Sequence, residues 1–254
     1  MERLRLAIAP FLLSFPEVKT LGVRSLMGDY TQEERDWMLH AHRIFFPTVR
    51  FAEVFHAARI PCFPNVFSYR YQRSRILQTS LVSYLNFPQP HTRLYYGTRQ
   101  KTHILRHFAY PFFLAGPKAG PATKHLVTDG ESLAQWSGRY NPVIVQDWVP
   151  WRDRVRVIFV LFQCIGAFRY SHPSEPDSPA EPISPTRDLS ETCVNLAHRL
   201  VAAARIDDVA MDWGMAEDGW QFIEMHWPAV SIQTPCGSLN RHQYVGRLIH
   251  EGVL

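Results

Sequence analysis

Residues 207–227 read DDVAMDWGM, AED and GWQFIEMHW in succession, and this run constrains the chain more than any other. Two strand-like halves rich in aromatic and β-branched residues flank a short polar turn, the pattern of an antiparallel hairpin. The turn is either Asp218-Gly219, or Glu217-Asp218-Gly219 with glycine in the left-handed position. The longer turn sets Asp212 directly opposite Glu224, with His226 two residues further along the same face. The shorter one sets Trp213 opposite Glu224 and sends Asp212 to the other face. Two carboxylates directly opposite repel, so the longer turn requires something positive between them. Asp, Glu and neutral imidazole are all competent ligands for a divalent cation. The alternatives are side chains that point to solvent, or an arginine that bridges them.

The other elements alternate in type. LRLAIAP reads as an opening strand rather than a signal peptide, because Pro10 interrupts the apolar run and no small-residue cleavage site follows. TQEE at Thr31–Glu34 is a capping box ahead of a helix to about His42. A second helix follows Pro47 and Thr48, and a third covers about Arg73 to Leu85. RLYYG, YPFFLAG, PVIVQDWVP, RVRVIFVLF and QCIGAFRY are strand-like. GPKAGPAT is read as a flexible polar loop. Residues 171–187, rich in proline, serine and acid, read as a mobile loop. The longest helix precedes Asp207, and a last one covers about Asn240 to His250. The class is α+β, with a small α/β unit over residues 1–64 ahead of a larger domain over 65–254.

Composition closes off several functions. A formal net charge of +4 over 254 residues, without runs of like charge, gives no basis for nucleic-acid binding. No apolar stretch reaches the ~18 residues that span a bilayer. Cys62, Cys164, Cys193 and Cys236 include no CxxC pair, which argues against a zinc ribbon and for buried thiols in a reducing cytoplasm. A zinc hydrolase built on Asp212, Glu224 and His226 lacks the usual additional His or Cys ligands.

With these segments in place the chain resembles the ATP-grasp superfamily, and within it the glutamate-adding, RimK-like carboxylate–amine ligases. In those ligases a strand aspartate is followed twelve residues later by Glu-x-Asn; Asp212, Glu224 and His226 keep that spacing, with His226 at the asparagine position. SRILQTSLVSYLNFPQPHT resembles the family's helix and turn, YPFFLAGPKAG its strand and glycine loop, and VTDGESLAQW the segment after it. VIVQDWVP is similar to its adenine-contacting strand, and RDRVRVIFVLFQCIGAFRY to its arginine-bearing strands. The resemblance runs from about Pro61 to the end. It implies a nucleotide clamped between two α+β subdomains, with ATP activating a carboxylate as an acyl phosphate and an amine, possibly on a peptide, or a thiol as acceptor. It further implies Mg2+ or Mn2+ on Asp212, Glu224 and His226, and catalytic roles for Arg156 and Arg169. Gln146, Asp147, Trp148 and Val149 are implied at the nucleotide.

The chain also departs from that pattern. The family's first phosphate-binding lysine is Arg75 here, and its second is Ala115, a loss of charge. Lys118 is the expected substitute. GPKAGPATKH carries prolines where the family has glycines, leaving fewer N–H groups to cradle phosphate. These changes support an alternative: a degenerate relative that binds nucleotide or a partner without turnover.

Overall fold

In the computed structural model, residues 4–175 and 178–254 are described. The N-terminal unit is a parallel sheet of order β2-β1-β3-β4, built from β1 (Arg5–Ala7), β2 (Lys19–Thr20), β3 (Arg43–Phe45) and β4 (Cys62–Phe63). Helices α1 (Gln32–His40) and α2 (Val49–Ala57) join its strands. The Thr31 capping box forms as expected: Glu34 N–H donates to Thr31 Oγ1 at 3.2 Å, and Thr31 N–H to Glu34 Oε2 at 2.7 Å.

The helix expected from Arg73 to Leu85 is two helices, α3 (Val66–Arg73) and α4 (Arg75–Tyr84). Ser74 between them is extended at φ −127°, and its hydroxyl caps α4 by accepting from Leu77 N–H. Helix α3 escapes an apolar periodicity because it buries the polar Ser68 and Gln72 beside Val66 and Tyr69.

A second sheet follows: β5 (Thr92–Tyr95), short helices α5 (Gly97–Lys101) and α6 (Ile104–His107), β6 (Phe112–Ala115), β7 (Lys124–Val127), α7 (Gly130–Arg139) and β8 (Val143–Asp147). Its order is β5-β8-β6-β7, antiparallel throughout. The third sheet contains β9 (Asp153–Val160), β10 (Gln163–Tyr170), β11 (Ala180–Ile183), β12 (Asp208–Ala216) and β13 (Gly219–His226), in the order β11-β10-β9-β12-β13. Helix α8 (Glu191–Ala204) precedes β12; the hairpin β14 (Ser231–Thr234)–β15 (Gly237–Asn240) and helix α9 (Arg241–His250) close the chain. The segment 171–187 is not wholly a loop, because β11 pairs with β10 as an edge strand. Pro176 and Asp177 of that segment lie outside the described residues.

The largest core forms between α8 and one face of the third sheet, where Leu200 and Val201 meet Val155, Val157, Met211 and Trp213. Burying these alternate residues turns their neighbours Arg154, Arg156 and Asp212 to the opposite face. Helix α9 packs on the N-terminal unit instead, Val245 and Ile249 sharing a core with Ala7, Phe45 and Phe63. Gly246 permits that approach: a Cβ there would lie 2.1 Å from the Phe15 ring. The front unit and the end of the chain therefore bury one another.

Candidate functional site

The hairpin reaches the expected pairing by an unexpected route. Ala216 pairs with Gly219, so the turn is Glu217-Asp218, one residue ahead of the shorter alternative; Gly219 follows it at φ +123°. The register shifts between Asp212 and Trp213, so Trp213 opposes Phe222 and Asp212 opposes Glu224. Ile223 is the extra residue of a β-bulge, the device by which strands re-aim side chains. Helix α4 fixes this stretch of β13: Gln78 accepts from Met225 N–H at 2.9 Å and donates to its carbonyl at 3.1 Å.

The positive charge between the acids comes from arginines. Asp212 is fully buried and accepts from Arg156 Nε at 2.6 Å, Arg156 Nη2 at 3.0 Å, Arg154 Nη2 at 2.8 Å and the Tyr170 hydroxyl at 3.4 Å. His226 Nε2 lies 3.3 Å from Asp212 Oδ2 but lacks the angle of a hydrogen bond, and it has no hydrogen-bond partner among the described residues. Burial would raise the Asp212 carboxyl; His226 and Arg156 more than offset it and hold the group well below the usual carboxylate range. Glu224, 6% exposed, receives Arg75 Nη2 at 2.5 Å and Gly120 N–H at 3.4 Å. Its carboxyl, pushed up by burial, is brought below the usual range by Arg75, with His226 and Lys124 adding to the effect.

Arg75 also organises the loop between β6 and β7. Its guanidinium donates to the carbonyls of Gly116, Lys118 and Gly120 and to Thr123 Oγ1, at 2.9–3.2 Å. Arg75 N–H bonds Pro117 O, and Ala119 N–H bonds Arg73 O. The expected flexible loop is thus tied to the α3–α4 junction. Lys118 holds it through its backbone carbonyl, while the residue itself is exposed.

The cation that sequence reasoning missed is Lys124. In the β6–β7 hairpin it stands directly opposite Ala115, so both side chains share one face. Lys124 Nζ donates to Gln146 Oε1 at 3.2 Å. Burial pushes its ammonium down to about 8, against the pull of the Glu224 carboxylate. The signal was present in KHLV, a four-residue strand after a tight loop, but GPKAGPAT concealed the pairing. Arg154 was missed as well; the same alternation that places Arg156 also places it.

Gln146, Ala115, Lys124, Arg75 and Phe222 line a narrow cleft between the second and third sheets, with room of about 20 Å³, roughly one water. The Asp147 carboxylate lies 3.8 Å from His91 Nδ1, and Trp148 and Val149 follow β8, half-buried. Arg169 is not brought to the site. It stands opposite Val155 on the helix-facing side of β10, where it binds Asp153 at 3.2 Å and Asp188 O at 2.9 Å. Sequence similarity placed it one residue away from the position that faces the acids, which Tyr170 occupies. Arg169→Ala is therefore expected to leave ATP affinity within twofold in a calorimetric titration, whereas Arg156→Ala reduces it by more than tenfold.

The three-ligand metal set expected from Asp212, Glu224 and His226 is not assembled: among the described residues no group of three His, Cys, Asp or Glu stands as a metal site. Arginine takes up each carboxylate separately. The opposed pair still fits a Mg2+ ion held chiefly by nucleotide phosphates and water, which asks one or two carboxylates of the protein. All four cysteines are free; Cys193 is buried, Cys62 and Cys164 are half-buried, and Cys236 is exposed, contrary to the expectation of four buried thiols. Among the described residues no helix is long and apolar enough to cross a membrane.

Two facing sheets with a nucleotide-sized set of cations, acids and an adenine-side strand between them define the ATP-grasp class. Solved structures share this fold. A RimK domain ATP-grasp protein from Sphaerobacter thermophilus superposes with a TM-score of 0.63 at 16% identity, over 87% of this chain and 90% of that one. D-alanine–D-alanine ligase from Bacillus anthracis superposes with a TM-score of 0.66 at 10% identity, over 93% and 89%. N5-carboxyaminoimidazole ribonucleotide synthetase from Thermotoga maritima gives 0.60 at 12%, over 89% and 68%. More narrowly, the sequence model of one ATP-grasp domain family, the third of its clade, matches residues 33–232, and the chain belongs to that family. No curated protein matches it by sequence.

Proposed function

We propose that the protein is an ATP-dependent carboxylate–amine ligase acting through an acyl phosphate. The observation that carries this reading is Lys124 opposite Ala115, which returns to the cleft the charge that β6 lacks. Phosphoryl transfer needs chiefly positioning and neutralisation of phosphate charge, and Lys124, Arg75, Arg154 and Arg156 bring four cations against two carboxylates. The net positive balance suits a triphosphate.

In this reaction a substrate carboxylate oxygen attacks the γ-phosphorus. The bond from that phosphorus to the β,γ-bridging oxygen breaks, and ADP leaves with the electron pair. The acceptor amine then attacks the acyl carbon, the C–O bond to phosphate breaks, phosphate departs, and the amine proton passes to solvent. Arg154 and Arg156 turn from Asp212 toward the transferring phosphoryl group, where fixed guanidinium donors act on developing charge. Mg2+, carried in with the nucleotide and held by Asp212 and Glu224, would supply further charge neutralisation. Gln146, with the β8 backbone through Val149, lines the base side, and the two sheets part to admit the nucleotide.

A carboxylate and an amine supplied together are expected to release ADP from ATP, and Asp212→Asn to lower that rate at least a hundredfold. A second reading, nucleotide or partner binding without turnover, is favoured by the narrow cleft and by the arginine pairing of both acids. ATP binding in calorimetry with no ADP release over a broad panel of acids and amines would select it.

A further inference from the structure

A second cavity lies on the same face of β12, four residues before Asp212. It measures about 360 Å³ and opens at the carboxyl ends of β1, β3 and β4, between Ala9, Phe46 and Pro64. Ligands of parallel sheets bind at that edge, and the volume is within the range of small-molecule pockets. Its walls are aromatic and apolar: Phe11, Phe46, Val49, Tyr69 and Trp227. Phe11 and Trp227 stay 46% and 42% exposed there.

The polar part of the lining is the buried pair Asp208 and Arg241, joined through Asp208 Oδ2 and Arg241 Nη1. The pair is incompletely satisfied. Asp208 Oδ1 and Arg241 Nε have no hydrogen-bond partner among the described residues, although Asp208 is fully buried and Arg241 7% exposed. A buried carboxylate oxygen and a buried guanidinium N–H without partners are costly. One lacks a donor and the other an acceptor, the two groups that a peptide unit presents. Trp227 directly follows His226, so the cavity is continuous with the acids on β13. At ~3.3 Å per residue the distance along β12 from Asp208 to Asp212 is about 13 Å, the length of roughly four extended residues.

We propose that this cavity anchors a peptide substrate: a bulky apolar side chain fills the aromatic walls about four residues from the reacting end, and its peptide unit completes the Asp208–Arg241 pair. The inference rests on the ligase reading for the meaning of the reacting end, and on the cavity alone for binding. The peptide's N–H donates to Asp208 and its carbonyl accepts from Arg241, which orients the chain along β12 toward Arg154 and Arg156.

The test uses the full chain and calorimetric titration with alanine-based hexapeptides in which one phenylalanine is moved through every position, against the all-alanine peptide. At least one phenylalanine peptide should bind tenfold or more tightly than the all-alanine peptide, the scale set by burying an aromatic side chain. Val49→Trp, which fills the cavity without touching the ion pair, should erase that difference and leave ATP affinity within twofold. Asp208→Asn should weaken the same peptide, with its melting midpoint followed to separate unfolding from lost recognition. Equal binding of all the peptides overturns the proposal, as does a Val49→Trp protein that still prefers phenylalanine. Failure of wild-type protein to bind ATP overturns the ligase reading instead, and leaves peptide discrimination to stand or fall by itself.

Discussion

Lys124→Met is expected to lower ATP affinity at least a hundredfold and to abolish ADP release, while Lys118→Met changes either by less than twofold. The difference follows from placement. Lys124 projects into the cleft beside Gln146 and within reach of Glu224, whereas Lys118 sits exposed on the loop and acts through its backbone. A buried ammonium acts through a lower effective dielectric than an exposed one, so its loss is felt more strongly. Lys124→Arg should retain part of the affinity. A Lys124→Met protein that binds ATP like wild type would remove the argument for an active site altogether.

The same lysine sets a pH dependence. Its ammonium titrates at about 8 in the folded protein, below the 10.5 of an unburied lysine. Between these values the unfolded chain binds more protons than the folded one, so Lys124 makes stability rise with pH from about 8 toward 10.5; below 8 its full burial penalty is present. Nucleotide binding works in the opposite direction. Phosphate favours the charged form, so ATP affinity should fall as pH rises through 8, with proton uptake on binding at pH 8–9. Titrations in two buffers of different ionisation enthalpy measure that uptake directly, and none should be seen with Lys124→Met.

The largest expected loss of stability comes from Arg75→Met. It strands Glu224 in the interior and frees the loop carbonyls of Gly116, Lys118 and Gly120. Breaking a buried pair by removing one partner costs about 3–5 kcal/mol; at ~2–4 °C per kcal/mol for a chain of this size, the melting midpoint should drop by about 10 °C. Arg75→Met combined with Glu224→Gln should recover part of this, because no charge is left uncompensated. The held-down Glu224 carboxyl gives the sign on the acid side. Its contribution is present above the unfolded value of about 4.3 and is lost as pH falls through the lower folded value. The double variant should lack that portion of the acid transition. A single Arg75→Met protein that melts within 2 °C of wild type would show that the clamp contributes nothing.

The hairpin around Asp212 and Glu224, the capping box at Thr31, the strands of the third sheet and the α8 helix were all legible in the sequence. Each is local: periodicity and cap chemistry act between residues a few positions apart, and burial on one side follows from the alternation itself. The opposition of Asp212 and Glu224 was anticipated from the turn, but only the bulge at Ile223 produces it with the turn that forms. The tertiary structure decided which groups neutralise the acids. Arg75 meets Glu224 from 149 positions away in the chain, and Arg156 meets Asp212 from 56. It also decided that Lys124 stands in for the charge missing at Ala115, and that Arg169 faces the helix. Residue type and spacing set what each segment can form; a side chain's partner depends on strand register and on which sheets face one another, and neither quantity is stored in any short stretch of residues.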